Sequence, residues 1–124
     1  MEMTYDLAGQ MIGKAMKVHG VLGAGFVESV YENALCLDLA AAGITFSRQA
    51  PVQVRYRDTI VGDFVADILI EGKLIIELKA VSALLPIHEV QLVNYLTATG
   101  IDGGLLLNFG AESLQFKKKF RRRA

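Results

Sequence analysis

Apolar side chains at Leu7, Met11, Ile12, Ala15 and Val18 recur every three or four residues. That is the spacing of one helix face, and it predicts an amphipathic helix over residues 4–19. Gly20, Gly23 and Gly25 follow and are expected to break it. Val30, Ala34, Leu35, Leu37 and Leu39 predict a second helix over residues 27–42, with Gly43 as its stop. Beyond it the apolar period shortens. Residues 44–49 and 52–56 read as two strands, and Arg57-Asp58 as a turn. Residues 60–70 are rich in β-branched side chains, with Gly62 a candidate bulge. Glu71-Gly72-Lys73 reads as a hairpin turn before a returning strand at 74–80. Pro86 suits the first turn of a helix that runs to residue 99 and stops at Gly100. Residues 103–109 hold Leu105-Leu106-Leu107, a run suited to a strand buried on both faces. Residues 113–117 alternate weakly and read as a last edge strand. The order α-α-β-β-β-β-α-β-β implies an α/β fold, a mixed central sheet flanked by helices. No Pro/Ser-rich linker interrupts it, so residues 1–124 are expected to form one domain.

Composition adds limits. Apolar residues make up 52% of the chain and mean hydropathy is +0.37, which excludes a disordered segment. A small domain cannot hide all of that content, so burial in a homo-oligomer is expected. No apolar run reaches the roughly 20 residues a membrane span needs. Residues 1–10 carry Glu2 and Asp6 and no basic residue, so no secretory signal is expected there and a cytoplasmic protein is the default. Cys36 is the only cysteine, which excludes disulfides and thiolate metal sites within one chain.

Net charge is zero, but its distribution is uneven. Six of the 13 basic residues are Lys117, Lys118, Lys119, Arg121, Arg122 and Arg123. The remaining seven face 13 acidic residues, a net of −6. A basic tail at 117–124 therefore follows an acidic body. The tail reads either as a phosphate-binding segment or as a solvated, frayed terminus.

Candidate chemistry lies in the central hairpin. Asp67, Glu77 and Lys79 are charged residues inside apolar strands. Buried charges need partners or a metal. Glu77 and Lys79 are two apart and share a strand face. Whether Asp67 joins them depends on the turn. A three-residue loop at Glu71 to Lys73 pairs Ile70 with Leu74 and sets Asp67 opposite Glu77; a two-residue loop sends Asp67 to the other face unless a bulge intervenes. The loop or bulge that unites them is expected. Two adjacent carboxylates repel unless a cation sits between them, and oxygen-only ligation suits Mg²⁺ or Mn²⁺. Without a site, the same residues make an ordinary hairpin with a cross-strand ion pair.

Gln91 and Tyr95 share a helix face with His88, on the helix that follows the Glu77 strand. Glu28, Tyr31 and Glu32 share a face on the second helix, where acidic residues also suit the helix dipole. His19 reads as a helix C-terminal residue and Cys36 as a small core residue. Ser29 and Ser82 have no evident His and Asp partners. Gly20-x2-Gly23-x-Gly25 lacks the lysine and strand context of a phosphate loop.

Together these segments carry a resemblance. Asp67-x9-Glu77-x-Lys79 resembles the PD-(D/E)XK nuclease signature, with Ala66 where proline is common. Gln91-x3-Tyr95 resembles the QxxxY motif of its RecB-like branch. Gly25-x2-Glu28-x2-Tyr31 is similar to the GxxExxY protein family of the same superfamily. The resemblance implies a restriction-endonuclease-like core and a Mg²⁺- or Mn²⁺-dependent nuclease, with DNA favoured over RNA. It implies that Asp67, Glu77, the carbonyl of Leu78 and Glu28 ligate metal, that Lys79 is the catalytic lysine, and that Gln91 and Tyr95 orient the site. The alternative is a non-catalytic protein of the same fold that self-assembles or binds nucleic acid or another partner.

Overall fold

The computed structural model describes residues 2–122, so Arg123 at the end of the basic segment lies outside the described residues. Two helices come first, α1 (Glu2–Leu22) and α2 (Glu28–Ala41). Three strands follow, β1 (Phe46–Tyr56), β2 (Thr59–Ile70) and β3 (Leu74–Lys79). Then come α3 (Pro86–Thr99), β4 (Gly103–Asn108) and β5 (Gln115–Phe120). The strands form one sheet in the order β1-β2-β3-β4-β5. α3 is the crossover between the parallel strands β3 and β4, and the other neighbours are antiparallel. This is the mixed, helix-flanked sheet that the element order implies.

The helices divide between the two faces. Leu7, Met11, Ala15 and Val18 of α1 and Tyr31, Leu35 and Leu39 of α2 pack on Ile68, Ile70, Ile76, Leu78, Leu105 and Leu107. Leu92, Tyr95 and Leu96 of α3 pack on the other face, against Val52, Ala66, Ile75 and Leu106. β4 is buried along its whole length, which explains its unbroken leucines. Among the described residues no helix is long and apolar enough to cross a membrane.

Three boundaries differ from the sequence expectation. Gly20 does not break α1, which runs on to Leu22. One glycine costs a helix only about 1 kcal/mol, and Val18 and His19 are buried in the same turn. The chain turns instead at Gly23 (φ 71) and Gly25 (φ 118). The two strands expected on either side of Pro51 are one strand, β1. Proline fits there because β1 is an edge strand and one side of it needs no ladder bond. The basic segment is not a frayed tail: residues 115–120 form the edge strand β5. Its lysines blunt an exposed edge against further pairing. Lys119 pairs with Glu89 at 2.9 Å and Arg121 with Asp102 at 2.7 Å.

The hairpin turns match their residues. Arg57 and Asp58 both take positive φ, 51° and 65°, as a two-residue type I′ turn requires. The register then slips, with Val54 opposite Gly62 and Arg55 opposite Ile60, so the extra residue is Val61, next to the glycine expected to mark a bulge. Between β2 and β3 the loop has three residues, and Ile70 pairs with Leu74.

The chain leaving β3 is clamped by side-chain amides. Asn108 Oδ1 accepts the N–H groups of Val81 and Gly110, both at 3.0 Å, and its Nδ2 donates to the Val81 carbonyl at 2.9 Å. Asn108 Nδ2 also donates to Gln115 Oε1 at 2.9 Å, and that oxygen accepts the Leu84 N–H at 3.2 Å. A Cβ at Gly110 would lie 2.4 Å from Val81 backbone atoms. Those atoms are held and cannot yield cheaply. Gly110→Ala is therefore expected to destabilise the fold by about 2 kcal/mol or more, read from urea denaturation; an unchanged midpoint would contradict the clamp.

Candidate active site

The β2–β3 ladder runs from Ile70↔Leu74 to Ile68↔Ile76 and stops. Side chains take over at the next position. The Asp67 N–H donates to Glu77 Oε2 at 2.7 Å, and the Leu78 N–H donates to Asp67 Oδ2 at 2.8 Å. Each carboxylate thus satisfies a backbone amide that the ladder has left behind. Bonds to an ionised acceptor are the stronger kind. The three-residue turn therefore does bring Asp67 and Glu77 together. Within a strand, a residue's N–H and C=O project to the same edge. The Leu78 carbonyl consequently faces the same opening as its amide.

The pair is electrostatically strained. Glu77 is 7% exposed. Burial, then the charge of Asp67, pushes its carboxyl up to about 8, against the pull of the Asp67 amide and of Lys79. Asp67 is also raised, first by burial and further by Glu32, while the Leu78 amide and Lys79 oppose the shift. Lys79 offsets the pair only in part, since both carboxyls stay raised. One oxygen of each accepts a backbone N–H, and the other accepts no hydrogen bond among the described residues. An all-oxygen donor set with two uncommitted oxygens fits a hard divalent cation.

Glu28 is the first residue of α2 and is exposed. Desolvation nonetheless raises its carboxyl, with Lys79 opposing and Asp67 and Glu32 adding to the rise. It is within electrostatic reach of the pair. Among the described residues no group of three or more His, Cys, Asp and Glu converges to hold a metal.

The residues around Glu28 explain its placement. Gly25 takes a φ of 118°, which favours glycine. Tyr31 is fully buried. Its hydroxyl donates to the Gly23 carbonyl at 2.6 Å and accepts the Phe26 N–H at 3.1 Å. Its ring stacks on Phe109 with centroids 4.7 Å apart. Gly25 makes the bend, Tyr31 holds it, and Glu28 is delivered at its exit.

α3 supplies the opposite wall. Its start is tied by His88, whose Nδ1 accepts the Leu85 N–H at 3.0 Å. Gln91 Nε2 donates to Tyr95 Oη at 3.2 Å. Burial and then the charge of Glu77 raise the Tyr95 hydroxyl, and its ring packs in one cluster with Ala66 and Ile75 of the carboxylate strands.

Sequence reasoning underrated two residues. Glu32 is buried rather than a solvated partner of the helix dipole, and Arg48 Nε donates to its Oε2 at 2.9 Å. The shared face of Glu28 and Glu32 was the available signal. Asn108 carried none, because its role depends on a loop nearly thirty residues earlier in the chain. His19 and Cys36 are structural: His19 Nε2 bonds the Ala111 carbonyl at 3.0 Å, and burial raises the Cys36 thiol.

The chain matches the PD-(D/E)XK nuclease superfamily over residues 5–123. No curated protein sequence matches it. In fold it is similar to a protein solved as "Crystal structure of SSO0001", with a TM-score of 0.60 and 16% identity over 78% of this chain and 52% of that one. It is also similar to an alkaline exonuclease, LHK-Exo, from Laribacter hongkongensis, with a TM-score of 0.53 and 12% identity over 76% of this chain and 56% of that one. The chain spans about half the length of these two structures.

The raised Glu77 carboxyl makes a prediction for metal-free protein. Its folded-state pKa lies above the unfolded value, so its contribution is present at low pH and is lost as pH rises from 4.5 towards about 8. In EDTA, the urea midpoint of the wild type is expected to fall across that window, and Glu77→Gln to flatten the fall. Identical pH profiles for the two proteins would count against the strained pair.

Proposed function

We propose, because the chain belongs to the PD-(D/E)XK nuclease superfamily, that it is a divalent-cation-dependent nuclease hydrolysing phosphodiester bonds in nucleic acid, with DNA favoured over RNA. The bonds from the Asp67 N–H to the Glu77 carboxylate and from the Leu78 N–H to the Asp67 carboxylate, which hold the two acidic groups together, carry this reading. The exonuclease among its structural neighbours is consistent with it.

Asp67, Glu77 and the Leu78 carbonyl would hold Mg²⁺ or Mn²⁺. When bound, the cation polarises a phosphoryl oxygen and lowers the pKa of a water molecule. Lys79 sits where its ammonium offsets the charge of both carboxylates. With substrate present it would orient the attacking water and stabilise charge developing on the phosphate. Glu28, at the start of α2, would complete the metal site. Tyr95, braced by Gln91, would orient the site or contact the substrate backbone. The arrangement of Gly25, Glu28 and Tyr31 supports placement in the GxxExxY branch, and that of Gln91 and Tyr95 supports a RecB-like lineage.

Cleavage of labelled oligonucleotides is expected to require Mg²⁺ or Mn²⁺. Asp67→Asn and Lys79→Ala are each expected to slow it by about a hundredfold or more. Undiminished cleavage by both purified, folded variants would refute the assignment.

A further inference from the structure

A groove of about 1110 Å³ lies between the β1–β2 hairpin and α3, and Gln91 and Tyr95 form part of its lining. Asp67, Glu77 and Lys79 do not line it. It meets the carboxylate strands at Tyr95, which packs in one cluster with Ala66 of β2 and Ile75 of β3, one residue from Asp67 and two from Glu77. Among the described residues no acidic side chain lines this groove, while Arg55 and Arg122 do. That charge pattern suits an anion, and the acidic body around it does not.

The floor of the groove is not built for phosphate. Phe64, Ile87 and Val90 present 49%, 63% and 50% of their surface. The Phe64 ring lies over Gly62, within 2.9 Å of where a Cβ there would stand. On the α3 side, the Tyr95 ring stands 5.9 Å from it, centroid to centroid, at a tilt of 34°. An aromatic ring half open to solvent beside a second ring is a stacking platform, and bases stack on such rings with little regard to sequence. A duplex keeps its base faces inside its own stack and presents phosphates. Two arginines offer few contacts to a duplex backbone. An unpaired strand offers both a base face and a flexible phosphate chain.

We infer that the groove holds a single-stranded polynucleotide, with one base stacked on Phe64 and neighbouring phosphates at Arg55 and Arg122, and that it leads the strand past Tyr95 to the carboxylate pair. The inference rests on the nuclease reading for its purpose, but binding is measurable without cleavage.

The chain has no tryptophan, so Phe64→Trp installs a single indole at the platform. The full-length variant, in EDTA, is titrated with oligo-dT, oligo-U and a mixed-sequence duplex, each of about ten nucleotides or base pairs, within the usual site size. Saturable quenching by either single strand, and none by the duplex at the same concentrations, is expected. Phe64→Leu keeps the apolar packing and is expected to weaken binding of a labelled single strand about tenfold by anisotropy. Arg55→Gln and Arg122→Gln are each expected to make the log–log salt dependence shallower by about 0.7. An unquenched indole, equal quenching by duplex, or undiminished binding by Phe64→Leu would overturn the assignment. Cleavage by a protein whose indole stays unquenched would sink the groove and spare the nuclease reading; quenching in a protein that cleaves nothing would do the reverse.

Discussion

The site depends on one local event, the parting of β2 from β3 after Ile68↔Ile76. A sheet that loses a ladder pair in its interior leaves amides unpaired, and buried unpaired amides are costly. Here the carboxylates of Asp67 and Glu77 accept those amides. The same bonds that repair the backbone hold two acidic groups side by side in a desolvated place. The fold thereby creates a need for positive charge that Lys79 only partly meets.

The surrounding structure serves to keep that arrangement in place. The three-residue turn sets the register that brings the two carboxylates to one face. Asn108 and Gln115 secure the chain as it leaves Lys79 and starts α3. Tyr31 secures the bend before α2 and so fixes the approach of Glu28. Arg48 ties β1 to Glu32, offsetting one of the acidic charges near Asp67. The candidate site residues come from β2, β3, α2 and α3, and Asn108, Gln115, Tyr31 and Arg48 anchor the chain around them.

Much of this was legible in the sequence. Charged residues at Asp67, Glu77 and Lys79 stand out because their neighbours are apolar, and strand periodicity with the turn length is enough to bring them together. Helix periodicity alone places Gln91 four residues before Tyr95. What could not be read rests on contacts between distant segments. Pro51 looked like a strand break because the edge position of β1 is a property of the sheet. Lys117 to Lys119 looked like a tail because an edge strand may be polar and still pair on its inner side. The approach of Glu28 rests on the bend at Gly23 and Gly25, which no local pattern of the helix fixes.

The central claim is that Asp67 and Glu77 form a cation site whose affinity comes from their enforced proximity. Calorimetric titration of Mn²⁺ into the metal-free protein tests it directly. One site is expected in the wild type, retained in Lys79→Ala and abolished in Glu77→Gln. Absence of binding to the wild type, or binding that survives Glu77→Gln unchanged, would contradict it.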